Sequence, residues 1–138
     1  MKITALIIAR NEENKIENTL KSLDFVDEIV VILDRTTDST ETICKKYTKK
    51  IFNGTWESEG ERRNFGIKKC KSDWILEIDA DEIINKLLAV EMKNAINRKS
   101  FDYYYIRLIN FIGKKPIKFG WMACMAPDGK FCLFKKEN

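Results

Sequence analysis

Short apolar runs without polar alternation, each stopped abruptly by charge, constrain this chain most. The sharpest is Trp74-Ile75-Leu76-Glu77-Ile78, which runs directly into Asp79-Ala80-Asp81-Glu82. A strand that is apolar on both faces has to be covered on both faces, as in a parallel sheet flanked by helices. Ile3 to Ala9 and Ile29 to Leu33 read the same way, and Ile51-Phe52 reads as a weaker third strand. Between them lie helical patterns. Ile16, Leu20 and Leu23 recur at i, i+4, i+7, then Ile43, Cys44 and Tyr47 form a second apolar side, and a further helix is expected from about Glu59 to Lys69. Strand alternating with helix predicts an α/β fold with a doubly wound, mostly parallel sheet.

At 138 residues the chain is expected to form one domain, 1–138, with the strand–helix repeats in 1–85. In 86–138, Leu87, Leu88, Val90, Met92, Ala95 and Ile96 predict one more helix. Tyr103 to Phe111 predicts a long aromatic strand. Loops around Gly113, Pro116, Gly120 and Pro127-Asp128-Gly129 lead to a last short strand at Phe131 to Phe134. A 44% hydrophobic, 33% charged composition is that of a soluble globular domain. The net charge of +4 includes the clusters Lys45, Lys46, Lys49, Lys50 and Lys114, Lys115, Lys118. Solvated lysine faces are the ordinary reading of such clusters, and peripheral contact with an anionic membrane surface is the alternative. No nucleic-acid partner is expected. No run reaches transmembrane length, and Met1-Lys2-Ile3-Thr4 enters a strand without a leader pattern, so the expected location is cytoplasmic. Cys44, Cys70, Cys124 and Cys132 lack CxxC spacing and read as small buried residues in a reducing compartment. The chain has no histidine, which removes histidine bases and histidine metal ligands.

In a parallel sheet the carboxyl ends of the strands share one edge, and ligands bind in the crevice beyond it. Arg10-Asn11-Glu12 follows the first strand, Asp34 ends the second, and Asp79 to Asp81 ends the fourth, so one crevice is expected to hold Arg10, Glu12, Asp34, Asp79 and Asp81. With strand periodicity, Asp79 and Asp81 point to the same side. Two such carboxylates repel unless a cation lies beside them, and Mg²⁺ or Mn²⁺ suits oxygen ligands and phosphates. The competing reading is an acidic turn that only caps the next helix. Asp38 and Glu41 have the spacing of a capping box. The absence of GxGxxG and of a P-loop argues against dinucleotide and Walker-type sites. A receiver-like signalling domain needs an acidic pair after its first strand, where this chain has Arg10-Asn11.

Five segments in order carry a family resemblance. They are Ile7-Ile8-Ala9-Arg10-Asn11-Glu12-Glu13, Glu28-Ile29-Val30-Val31-Ile32-Leu33-Asp34, Thr37-Asp38-Ser39-Thr40, Arg62-Arg63-Asn64-Phe65-Gly66, and Asp73 through Glu82. Together they resemble the family 2 glycosyltransferases of GT-A (nucleotide-diphospho-sugar transferase) fold, most closely the lipopolysaccharide core β-1,4-glucosyltransferase branch. Trp56-Glu57 is similar to that branch's loop, and Leu133-Phe134-Lys135-Lys136 to its later "RLFRK" strand. The resemblance implies a nucleotide-sugar donor, a UDP-sugar, with Mg²⁺ or Mn²⁺ at the DxD position held by Asp79 and Asp81. It implies that Ala9, Arg10, Asn11 and Glu12 line the nucleoside pocket, that Asp34 recognises the base, and that Arg63 and Asp79 lie near the nucleotide. Arg62 stands where the family usually has glutamine. Inverting transfer to a glycan or lipid-linked acceptor is implied, with contact to the cytoplasmic face of the membrane. The acceptor site and catalytic base belong to a region beyond this chain, which is expected to cover about the first half of the domain, truncated on its acceptor side. Within it, Asp102 and Asp128 are base candidates only as carboxylates, and the catalytic residue is unassigned. A non-catalytic donor-binding remnant, or one part of a split transferase, is the alternative.

Overall fold

The computed structural model describes residues 1–117 and 128–136. Expectations for Lys118, Gly120, Cys124 and Pro127 fall outside them. In chain order the elements are β1 (Ile3–Ala9), α1 (Ile16–Lys21), β2 (Glu28–Asp34), α2 (Thr40–Cys44), β3 (Ile51–Gly54), α3 (Glu59–Lys69) and β4 (Trp74–Asp79). There follow α4 (Lys86–Arg98), β5 (Tyr103–Arg107), β6 (Phe111–Ile112), β7 (Lys115–Pro116) and β8 (Gly129–Lys135). The main sheet has the order β3-β2-β1-β4-β8-β5. Its first four strands are parallel, and β8 lies antiparallel between β4 and β5.

Both faces of β1, β2 and β4 are largely buried, which is why their sequences do not alternate, whereas the edge strand β3 is only partly covered. Ile3, Ala5 and Ile7 of β1, Val31 and Leu33 of β2, and Trp74, Leu76 and Ile78 of β4 pack on one face. They meet Ile16, Leu20 and Leu23 from the α1 region, Cys44 of α2, and Met92 and Ile96 of α4. Leu6, Val30, Ile32 and Ile75 pack on the other, against Phe65 and Ile67 of α3. The approach of α3 is set by Gly66: a Cβ there would lie 2.7 Å from Leu6 Cδ1 and 3.1 Å from Ile32 Cγ1. The lone polar residue inside β1, Thr4, is satisfied by donating to Glu28 Oε2 (2.8 Å) and accepting from Ser72 N–H (3.3 Å).

Four local expectations are corrected. β3 continues through Asn53-Gly54, because Leu33 and Asp34 of β2 offer it partners. The aromatic strand ends at Arg107 rather than Phe111: Leu108 N–H still donates to Asp128 O (2.8 Å), the next step of the β5–β8 register, but Phe111 pairs in a separate hairpin of β6 and β7. On α4 the buried stripe is Ala89, Met92 and Ile96, while Leu87 and Val90 face solvent. The capping box does not form. Ser39 is the N-cap and makes no side-chain bond, Glu41 pairs instead with Lys45 (2.8 Å), and Asp38 accepts from the Thr40 backbone and hydroxyl. Cys44, Cys70 and Cys132 are buried free thiols.

Candidate functional site at the carboxyl edge of the sheet

Ile8 pairs in register with Ile32 on one side and Asp79 on the other, so β1, β2 and β4 end level. The chain runs outward from β1 through β2 to β3, then crosses to β4 on the other side of β1. The strand order reverses at the β1–β4 boundary, where such sheets open a crevice. Asn11 and Arg35, just past β1 and β2, both adopt positive φ (52° and 53°) and turn the chain out of the sheet. Asparagine tolerates that conformation well, and here its side chain also acts as a bracket. Asn11 Oδ1 accepts from Thr37 N–H (2.8 Å), Glu12 N–H donates to Thr40 Oγ1 (2.8 Å), and Ser39 N–H donates to Glu13 Oε2 (2.9 Å). The loops after β1 and β2 are thereby stitched into one rim, with Ala9 buried beneath it, Glu12 half-buried and Arg10 exposed.

Asp34 sits at the end of β2 on the α3 face and is buried. It accepts from Arg35 Nε (3.0 Å) and Arg62 Nη1 (2.7 Å). The Arg35 hydrogen bond, with help from Arg62 and against the opposing effect of burial, holds its carboxyl below the ordinary aspartate range. Arg62 Nε is buried without a hydrogen-bond partner among the described residues. The adjacent Arg63 goes elsewhere: its Nε donates to Glu77 Oε1 (2.7 Å) and its Nη2 to Glu59 Oε1 (3.2 Å). The two arginines thus divide, one to β2 and one to β4, on the same side of the sheet.

Asp79 and Asp81 do not point the same way. Strand geometry stops at Asp79, where Glu82 N–H donates to Asp79 O (3.1 Å) and closes a turn, so the two-residue period no longer applies. Asp79 Oδ2 lies 3.0 Å from Lys130 Nζ on β8, while Asp81 Oδ2 lies 3.7 Å from Lys15 Nζ ahead of α1. Both carboxylates are more than half exposed, at 66% and 54%. The segment between them is anchored by Thr19 Oγ1, which donates to Ala80 O (2.8 Å) in the core. The helix-cap reading is overturned: α4 is capped by Asn85, whose Oδ1 accepts Leu88 N–H (2.9 Å). Among the described residues no three Asp, Glu, Cys or His side chains cluster as a ready metal site. The donor chemistry nevertheless fits Mg²⁺ or Mn²⁺, which take one or two carboxylates, keep waters and complete their shell with phosphate oxygens.

The two spare carboxylates separate cleanly. Asp102 pairs with Lys135 (3.4 Å), which sits opposite Trp74 at the amino end of β4, so it lies at the far edge of the sheet. Asp128 precedes β8 two residues before Lys130 and accepts from Tyr105 Oη (2.6 Å), at the same edge as Asp79.

Three pairings were invisible in the sequence: Lys130 with Asp79, Lys130 with Glu82, and Asp34 with both Arg35 and Arg62. Lys130 reaches Asp79 only because β8 pairs antiparallel with β4 across some fifty positions, a register no local pattern encodes. Arg62 was noticed for replacing a glutamine, yet nothing in its spacing announced Asp34 as its partner.

A parallel sheet whose strand order reverses beside an acidic, arginine-bearing edge defines an α/β domain of the GT-A type. Comparison with known proteins agrees. The family model for glycosyl transferase family 2 matches residues 4–123, and the chain belongs to that family. An uncharacterized glycosyltransferase of Rickettsia bellii is 35% identical over 104 residues, covering 75% of this chain and 35% of that protein. The lipopolysaccharide core biosynthesis glycosyltransferase LpsC of Rhizobium meliloti is 29% identical over 91 residues, covering 62% and 34%. Among solved structures, S. aureus TarS 1-349 in complex with UDP-GlcNAc superimposes with a TM-score of 0.68 at 26% identity, covering 86% of this chain and 37% of that one. The chain therefore spans little more than a third of the length of these relatives.

Proposed function

We propose that this chain is the donor-binding part of an inverting, metal-dependent glycosyltransferase that takes a UDP-sugar. The observation that carries this reading is the single rim formed by Ala9, Arg10, Asn11 and Glu12, Asp34, and the turn from Asp79 to Asp81, all level with the ends of three parallel strands. Complexes of TarS with UDP-GlcNAc, and of a Mycobacterium tuberculosis glucosyl-3-phosphoglycerate synthase with Mg²⁺ and UDP, support the donor class and the cation. In this reading Asp34 meets the base, the exposed Arg10 and Arg63 meet anionic oxygens, and Asp79 and Asp81 hold Mg²⁺ or Mn²⁺. When bound, that ion would neutralise charge gathering on the departing diphosphate. The acceptor proposed is a glycan or lipopolysaccharide-type molecule, supported by the name of LpsC. The proposed location is the cytoplasm, with the lysine clusters toward the inner membrane surface.

A second reading, donor binding without transfer, is favoured by one observation: Asp102 is at the wrong edge, which leaves Asp128, already bonded to Tyr105, as the base candidate at this rim. Calorimetry with UDP in Mn²⁺ and in EDTA tests what the two readings share. The expected result is UDP binding at least tenfold tighter with Mn²⁺; equal affinity in both would remove the metal role of Asp79 and Asp81. Sugar transfer by the chain would then reject the non-catalytic reading.

A further inference from the structure

We infer that Lys130 is a tethered counter-ion that keeps free divalent cations off Asp79, so that metal enters this site together with the nucleotide diphosphate rather than before it. The inference rests on the reading of Asp79 as a metal-holding carboxylate. Its basis is a closed ring of contacts. Lys130 Nζ lies 3.0 Å from Asp79 Oδ2 and 2.7 Å from Glu82 Oε2, and Glu82 Oε2 accepts Asp79 N–H at 2.9 Å. The Lys130 side chain is only 26% exposed and that of Glu82 only 19%, whereas that of Asp79 is 66% exposed. The cation is thus held against Asp79 by a second, more buried carboxylate, while more than half of the Asp79 side chain stays open to solvent.

The charges then decide the order of binding. A divalent ion arriving alone at Asp79 meets a carboxylate whose charge is already shared with a fixed ammonium, and it meets that ammonium at short range. A diphosphate brings negative oxygens that bind the metal and screen it from Lys130. Asp81, the other proposed ligand, lies 3.7 Å from Lys15 in the free protein.

The test measures Mn²⁺ binding to the wild-type chain, K130M, K130Q and K130R, by the electron paramagnetic resonance signal of free Mn²⁺, with and without saturating UDP. Circular dichroism melts confirm that each variant is folded, and the two neutral variants guard against loss of either one. The expected result is weak binding of Mn²⁺ alone by wild type and K130R. Binding by K130M or K130Q should be at least tenfold tighter, with a much smaller difference once UDP is present. If the neutral variants bind Mn²⁺ alone no better than wild type while UDP still recruits Mn²⁺, Lys130 is a structural ion pair and the inference falls, with the donor-site reading intact. If no form binds Mn²⁺ even with UDP, both fall.

Discussion

Asp79 and Asp81 are two residues apart yet meet different lysines, and that split sets what each substitution should do. Among the described residues Asp81 has one ionic partner, Lys15 at 3.7 Å, and it is more than half exposed. An exposed pair of this kind contributes at most about 1 kcal/mol. Asp81→Asn should therefore change folding stability by no more than about 0.5 kcal/mol. It should weaken UDP–Mn²⁺ binding at least tenfold, about 1.4 kcal/mol, because one anionic oxygen ligand is lost. Thermal melts of wild type and mutant, with and without UDP and Mn²⁺, read both quantities. A mutant that melts lower alone yet keeps the full ligand-induced shift would return Asp81 to a structural role. The gathering of these charged residues at one sheet edge was legible because charge at the end of an apolar strand is conspicuous. Their orientations were not, because the turn closed by Glu82 N–H breaks the strand period one residue after Asp79.

At the scale of elements, the three inner parallel strands could be read because burial on both faces leaves a continuous apolar imprint, while the partly covered edge strand β3 left only Ile51-Phe52. β1 was placed from Ile3 to Ala9 with the bounds observed. β5 was overextended because aromatic and aliphatic residues run on past Arg107 to Phe111, while Phe111 finds its partner in Pro116 of a separate hairpin, a pairing the apolar run does not announce. Helix α3 shows an element held by one missing side chain. Its Gly66 lies on Leu6 and Ile32, both fully buried and without room to retreat. The same helix carries Arg62 to Asp34 and Arg63 to Glu77, so its distance from the sheet sets the reach of both arginines. Gly66→Ala should gain a little helix propensity but lose more to overpacking, for a net destabilisation of about 1–3 kcal/mol. Urea unfolding monitored by tryptophan fluorescence measures it. An unchanged or raised midpoint would mean that α3 can shift outward freely, and the fixed positions of its arginines would no longer follow.

At the scale of the whole molecule, the sheet gathers residues from position 9 to position 130 at one edge and leaves the opposite edge to structural pairs. Thr4, Glu28 and Ser72 are linked there, and Lys50 pairs with Glu28. The parallel strand direction that produces this polarity followed from the strand–helix alternation, whereas the insertion of β8 between β4 and β5 is a long-range choice that no single segment specifies. The central claim is that donor and metal meet at the carboxyl edge, and paramagnetic broadening of backbone amide signals by Mn²⁺ in the presence of UDP tests it most directly. The expected result is selective loss of signals from Arg10 to Glu12, from Arg35 and Thr36, and from Asp79 to Glu82. Signals of Glu28, Asp73 and Asp102 at the far edge should persist. Broadening centred on that far edge, or none at either, would contradict the account.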